Sequence, residues 1–163
     1  MKSHIIQIRP LKANDIEECV RLYSETIHTI NAKDYSQVQL DAWAPPAISH
    51  EDPRWQTLLK HISYVAQIND VIVGFSDLTQ EGYLDRLFVH KNYQGKGIAT
   101  LLVKQLEKEA LVIKLKEIQT EASITAKPFF EHMGYHVQKA QQKDVRGVIL
   151  SNFVMKKNIS GSS

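Results

Sequence analysis

The chain has a single cysteine, Cys19, among 163 residues. An internal disulfide is therefore excluded, and a reducing compartment is the expectation. It also lacks any apolar run near the roughly 18 residues needed to cross a membrane, and MKSHIIQIRP has no signal-peptide core. The expected location is the cytoplasm, with no membrane partner. Lys and Arg number 20 against 18 Asp and Glu, a net charge of +2 that is too small to indicate nucleic acid. Seven histidines supply no metal site: His132 and His136 are four apart, but Gly134 interrupts the helix that would align them. The sequon-like Asn158-Ile159-Ser160 has no secretion signal to make it meaningful. No metal is expected.

What is present is ordinary globular material, with 43% hydrophobic and 23% charged residues in a length suited to one domain. The domain is expected over residues 1–157, with a flexible tail over 158–163. Ile5, Ile6 and Ile8 give a first strand ending at Arg9-Pro10. A helix follows, with Asn14 as its cap, Glu17 as capping-box partner, and Ile16, Cys19, Val20, Tyr23, Ile27 and Ile30 on its buried stripe. Cys19 on that stripe is a core residue, not a nucleophile. Ser36 caps a second short helix with Val38, Leu40 and Trp43 on its apolar side, and Asp52-Pro53 opens another helical turn. Asn69-Asp70 joins two strands as a hairpin. Further strands are expected at Leu84–Val89, Glu117–Ala122, Tyr135–Gln138 and Val148–Met155, with helices at 98–110 and 126–133. The stretch Lys139–Gly147 is a loop or a continuation of either neighbouring strand.

The most informative stretch is YLDRLFVHKNYQGKGIATLLVKQLEKEA, Tyr83 to Ala110. A strand meets a helix through Gln94-Gly95-Lys96-Gly97. A helix start carries unpaired N–H groups and partial positive charge, so it suits an anion. Glycines there allow tight folding and close approach of a ligand. A dinucleotide fingerprint fails because Thr100 stands where a third small residue is required, and a Walker A loop fails because Lys96 is followed by Gly97.

The remaining pattern, Gln-x-x-Gly-x-Ala after a strand ending Leu-Phe-Val, resembles motif A of the GNAT superfamily of acyl-CoA-dependent N-acyltransferases. The block Ala122 to Tyr135, ASITAKPFFEHMGY, resembles the family's motif B. Together with YSQVQLDAWA and RGVILSNFVM, ASITAKPFFE is similar to the YafP-like branch. The resemblance implies an α/β (α+β) fold, with a mixed, mostly antiparallel sheet flanked by helices and a splay between two parallel strands. It implies acetyl-CoA as co-substrate. The backbone of Leu87, Phe88 and Val89 would meet the pantetheine arm, and Gln94, Gly95, Lys96, Gly97, Ile98, Ala99 and Thr100 would cradle the pyrophosphate. Ser123, where many relatives have asparagine, would offer a hydroxyl, and Phe130 would pack near the thioester.

The implied reaction is direct attack of an amine on the thioester in a ternary complex, with a small-molecule amine as acceptor. Asp85 is the candidate base, with an ion pair to Arg86 as the alternative role. Relatives commonly carry tyrosine at the position of Phe130, which has no proton for the leaving thiolate; Tyr135 is the candidate replacement. His28, Tyr35 and Trp43 are candidate acceptor-side residues. The alternatives are a CoA-binding regulatory domain and an enzyme acting on a protein or peptide amine. A homodimer through the last strands is a further expectation.

Overall fold

The computed structural model describes residues 5–160. Its strands are β1 (Ile6–Pro10), β2 (Ile62–Ile68), β3 (Val71–Leu78), β4 (Tyr83–Val89), β5 (Glu117–Ser123), β6 (His136–Val145) and β7 (Val148–Asn158). The helices are α1 (Ile16–Thr29), α2 (Gln37–Trp43), α3 (Pro53–Gln56), α4 (Ile98–Val112) and α5 (Lys127–His132). The strands form one seven-stranded sheet in the order β1-β2-β3-β4-β5-β7-β6. Every neighbouring pair is antiparallel except β4 and β5. The mixed, mostly antiparallel sheet with flanking helices is the expected architecture.

Two apolar layers hold the helices to the sheet. Ile16, Cys19, Val20 and Leu22 of α1, with Trp55 and Leu58, pack on Val65, Ile72 and Phe75. On the opposite face, Ile98 and Leu102 of α4 meet Ala66, Ile68 and Val73, while Val103, Leu106 and Ala110 meet Leu78, Leu84 and Ile118. Burying each such side chain contributes about 1.5–3 kcal/mol. The two layers together position β4 between helices on both faces.

Several boundaries differ from the sequence reading, each for a local reason. Asn14 does not cap α1. It lies within a 3-10 turn, Ala13–Asp15, and Asp15 instead accepts from the Lys12 N–H at 2.7 Å. Arg9 of β1 fixes that carboxylate with two bonds of 2.8 and 3.0 Å. Ser36 caps α2 as expected, accepting from Gln39 N–H while the Gln39 side chain accepts from Ser36 N–H. Within α2, Leu40 is buried while Val38 is 65% exposed. Lys139–Gly147 continues β6 up to Val145, and Arg146 and Gly147, at φ 50° and 81°, make the turn into β7. The tail begins later than expected: Asn158 still pairs with Glu117, and the Ile159 N–H donates to Lys116 O at 2.9 Å. Residues 161–163 of that expected tail lie outside the described residues.

Candidate active site

The cleft arises where β4 and β5 part. Their parallel ladder holds only Tyr83 opposite Gln119 and Leu84 opposite Thr120. Beyond it β4 stays on β3 as far as Val89, while β5 stays on β7 as far as Ser123. Thr120 Oγ1 donates to Leu84 O at 2.8 Å and closes the fork. The edge of β4 facing β5 is thus without a strand partner from Asp85 onward. The resulting cleft has a volume of about 860 Å³.

At one end lies the glycine loop. Gln94 Nε2 donates to Val89 O at 2.8 Å and to His90 O at 3.3 Å, pinning the loop to the end of β4. Gly95 and Gly97 adopt φ of 75° and 80°, the left-handed region in which a side chain is strained. A Cβ at either position would meet nothing within 4 Å, so both glycines border open space. Leu101 N–H bonds back to Gly97 O, which leaves the N–H groups of Ile98, Ala99 and Thr100 at the head of the fifteen-residue α4. Gln94, Gly95, Gly97, Ile98, Ala99 and Thr100 all line the cleft, as do Leu87, Phe88, Val89, Ser123 and Phe130. Lys96 is exposed and does not line it. Ser123 Oγ accepts from Ala126 N–H at 3.0 Å, so its hydroxyl also holds the turn into α5.

A β-bulge fixes the middle of the cleft. Asp77 pairs with Arg86 and Leu78 with Leu84, leaving Asp85 as an extra residue in β4. The bulge reverses the alternation of faces. Leu84 packs with Val103 and Leu106 of α4, whereas Arg86, two residues later, reaches the opposite side and lies over the Trp55 ring at 5.2 Å. Asp85 lines the cleft with its side chain 36% exposed. Burial raises its pKa, the charge of Asp77 raises it further, and Arg86 pulls the other way.

Arg86 is mainly engaged with Asp77. Its Nε and a terminal nitrogen approach Asp77 at 3.1 and 2.8 Å, against 3.4 Å to Asp85. It also donates to Arg54 O and Thr57 Oγ1. The expected alternative for Asp85, an ion pair with Arg86, is thus present but secondary. His61, which the sequence did not single out, also joins this group, with Nδ1 2.7 Å from Asp77 Oδ2. His61, Asp77 and Asp85 bring ligand-type atoms within 4.8 Å of one another. The Arg86 guanidinium already supplies a cation to that cluster.

The other wall is aromatic. Tyr35, Trp43, Phe88, Tyr23 and Trp55 form a chain of edge contacts with centroid separations of 5.4, 6.4, 4.8 and 4.7 Å. Tyr35 and Trp43, the candidate acceptor-side residues, line the cleft. The Tyr35 hydroxyl donates to Ser151 O at 2.7 Å and accepts from Ile124 N–H at 2.9 Å, tying the segment before α2 to two strand ends. Tyr23 donates to Trp43 O, and burial pushes its pKa up to about 12. Asn152, on β7, also lines the cleft; its Oδ1 is buried and has no hydrogen-bond partner. An orphaned acceptor of this kind is costly unless a ligand supplies the donor.

Two expected residues lie elsewhere. His28 does not line the cleft; its Nε2 donates to Ala44 O at 2.7 Å and fastens α1 to the end of α2. Tyr135 is 1% exposed and also outside the lining. Its hydroxyl donates to Glu107 at 2.9 Å, and burial, reinforced by that carboxylate, raises its pKa. A group so placed has no path to a leaving thiolate. Cys19 is fully buried, and burial raises its thiol pKa, in keeping with a core role.

Comparison with known proteins accords with this geometry. A sequence model of the acetyltransferase (GNAT) domain matches residues 31–157. The chain is 36% identical over 152 residues to the uncharacterized N-acetyltransferase YafP of Escherichia coli, covering 93% of this chain and 95% of that protein. Among solved structures, a GCN5-related N-acetyltransferase from Rhodopseudomonas palustris superposes with a TM-score of 0.89 at 28% identity, covering 97% of this chain and 98% of that one. The PaiA N-acetyltransferase of Thermoplasma acidophilum, solved with coenzyme A, shares the fold at a TM-score of 0.77 and 22% identity, covering 94% and 99% of the two chains. No helix among the described residues is long and apolar enough to cross a membrane. The splayed strands, the left-handed glycine loop and these matches make the chain a member of the GNAT family of N-acetyltransferases.

Proposed function

We propose that the protein transfers an acetyl group from acetyl-CoA to the amine of a small molecule, by direct attack within a ternary complex. The observation carrying this reading is that the unpartnered edge of β4 leads, in one cleft, from the bulge at Asp85 to the open space beside Gly95 and Gly97. A thioester carrier needs both features: strand edge for amide groups of an extended arm, and helix-start N–H groups for phosphates. The buried Asn152 Oδ1, lacking a donor, adds a place where a bound N–H would be welcome.

On this reading the residues act as follows. The N–H groups at the start of α4 hold the diphosphate, and the free edge of β4 aligns the thioester arm. The aromatic wall excludes water and orients the acceptor. Asp85 meets the acceptor in its ammonium form, so charge draws the amine to the bulge. Once neutral, the amine nitrogen attacks the carbonyl carbon, the C–S bond breaks as the C–N bond forms, and the thiolate leaves. Free backbone N–H groups of β4 suit the developing oxyanion. Phe130 offers no proton, but a thiol is acidic enough to leave without one.

The small-acceptor reading rests on the aromatic wall, which Tyr35 fastens to Ser151 and Ile124 on the far side of the cleft. A non-catalytic CoA sensor is the second reading, favoured by Phe130, a fully apolar side chain at 2% exposure. Calorimetric titration with acetyl-CoA and CoA, followed by thiol release with a panel of amines, separates them. Micromolar binding with amine-dependent release supports the enzyme; binding with no release from any amine supports the sensor. Absence of binding to either ligand sinks both.

A further inference from the structure

His61 reaches the cleft from the segment between the 3-10 turn Thr57–Leu59 and β2. Behind it stands Asp77, with no exposed surface, which accepts from His61 and from two nitrogens of Arg86. A carboxylate that accepts from a guanidinium at both oxygens acts as an acceptor here too, so the hydrogen between His61 and Asp77 sits on Nδ1. The neutral ring then carries its lone pair on Nε2. That atom has no protein partner among the described residues, and the ring is 17% exposed along the cleft wall, beside Asp85. Such a carboxylate-oriented imidazole, with a free nitrogen in a substrate cleft, is the arrangement of a general base.

We propose that His61, oriented by Asp77, removes the proton from the acceptor's ammonium group before attack. The inference rests on the amine-acetylation reading. Nε2 takes one proton from R–NH3⁺, giving R–NH2 and an imidazolium held between the Asp77 and Asp85 carboxylates. The amine adds to the thioester carbonyl. Collapse of that adduct expels the thiolate, and the second nitrogen-borne proton passes to sulfur. His61 returns its proton to solvent, so one acetyl group moves and one proton is released per ammonium consumed.

The charges around the ring favour this role. The hydrogen bond that His61 donates to Asp77 of β3 raises the imidazole pKa, partial burial works against it, Asp85 of β4 raises it further and Arg86 of β4 lowers it. Lys60, next in sequence, is exposed. Thr57, of the adjoining turn, is neutral and is engaged with Arg86. A base with a raised pKa takes a proton from ammonium with less loss of driving force.

The test compares the wild type with His61→Gln, whose amide can still donate to Asp77. Thiol release is followed from roughly pH 6 to 11, spanning the ionisation of an alkylamine, with an alkylamine and with a weakly basic amine that arrives neutral. For His61→Gln we expect about a 100-fold lower kcat with the alkylamine near neutrality, approaching wild type as pH passes the amine's pKa. With the neutral amine the loss should stay within about threefold, and the Kd for acetyl-CoA should be unchanged. An equal loss with both amines at every pH, or no loss at all, overturns the proposal. Should the wild type bind acetyl-CoA yet acetylate no amine, the functional reading fails separately. Nitrogen-15 NMR then judges the imidazole alone: a neutral ring protonated on Nδ1 upholds the arrangement, and one protonated on Nε2 overturns it.

Discussion

The glycine-loop end of the cleft and its centre are built in opposite ways. The end at Gly95, Gly97 and α4 is assembled from one continuous stretch, and its features are backbone conformations. The centre is assembled from residues far apart in sequence, His61, Asp77 and Arg86, joined by side-chain contacts of 2.7–3.1 Å. Backbone geometry of the first kind leaves a local trace in residue choice; a side-chain cluster of the second kind leaves almost none. The first should therefore tolerate changes that keep φ positive, and the second should fail as a unit.

Asp77→Asn tests that contrast most severely. It removes the carboxylate that both His61 and the largely buried Arg86 depend on. Breaking a buried pair in this way costs about 3–5 kcal/mol, or a fall in Tm of roughly 6–20 °C for a chain of this size. A Tm within a degree of wild type in a thermal scan would mean that the cluster is not a unit.

At the loop end, Gly97→Glu should lower acetyl-CoA affinity by about 100-fold or more, since a carboxylate at the helix start repels phosphate. Gly97→Asn is the sharper variant, because asparagine tolerates positive φ. It should leave the Tm nearly unchanged, there being nothing within 4 Å of its Cβ. Its affinity loss in the same titration then reports only the space the ligand needs. Undiminished affinity in both would move the phosphate site elsewhere.

Asp85→Asn should lower turnover about tenfold at neutral pH, because the ammonium form of the acceptor loses its counter-charge. The deficit should close as the amine becomes neutral. The deficit should also open only above a pH higher than that of an ordinary carboxylate, where Asp85 is ionised, since burial and then Asp77 raise its pKa. A deficit constant across the pH–rate profile would assign Asp85 to structure instead.

The smallest effect is expected at Asn152. Replacing it with leucine removes an unpaired buried oxygen, so stability to denaturant should be unchanged or higher by about 1 kcal/mol. Affinity for acetyl-CoA or acceptor should drop several-fold in calorimetry. No loss for either ligand would leave the orphaned oxygen without a role.

The same contrast explains what could be seen in the residues alone. Gly95 and Gly97 before an amphipathic run, Ser36 before a short apolar run, and Asn69-Asp70 between apolar runs each mark a conformation only a few residues adopt. The individual strands and helices and the loop were therefore legible, while the sheet's architecture and its splay came through the family resemblance. His61 is one histidine before a strand, with no spacing to distinguish it. The one available signal lay in its partner: a charged residue at the end of the apolar run VIVGFSDL, at a position that proves wholly buried. His28 and Tyr135 went the other way. Their residue types suit catalysis, but tertiary contacts with Ala44 and Glu107 turn them from the cleft. The stretch after Gln138 stayed open because a polar strand at a sheet edge, exposed on both faces, has no alternation to display.

The extra residue in β4 also bears on how this site can change over time. Because Asp85 is the unpaired residue of the bulge, deleting it would set Arg86 directly after Leu84, opposite Asp77 and Leu78 in a regular ladder, with both side chains on the faces they hold now. A substitution at position 85 alters one side chain; a deletion there removes that side chain and the bulge together, and leaves the faces of Arg86 to Val89 unchanged. Variation among descendants of this chain is therefore free to exchange the carboxylate, or to lose it with the bulge, without moving Arg86 from Asp77.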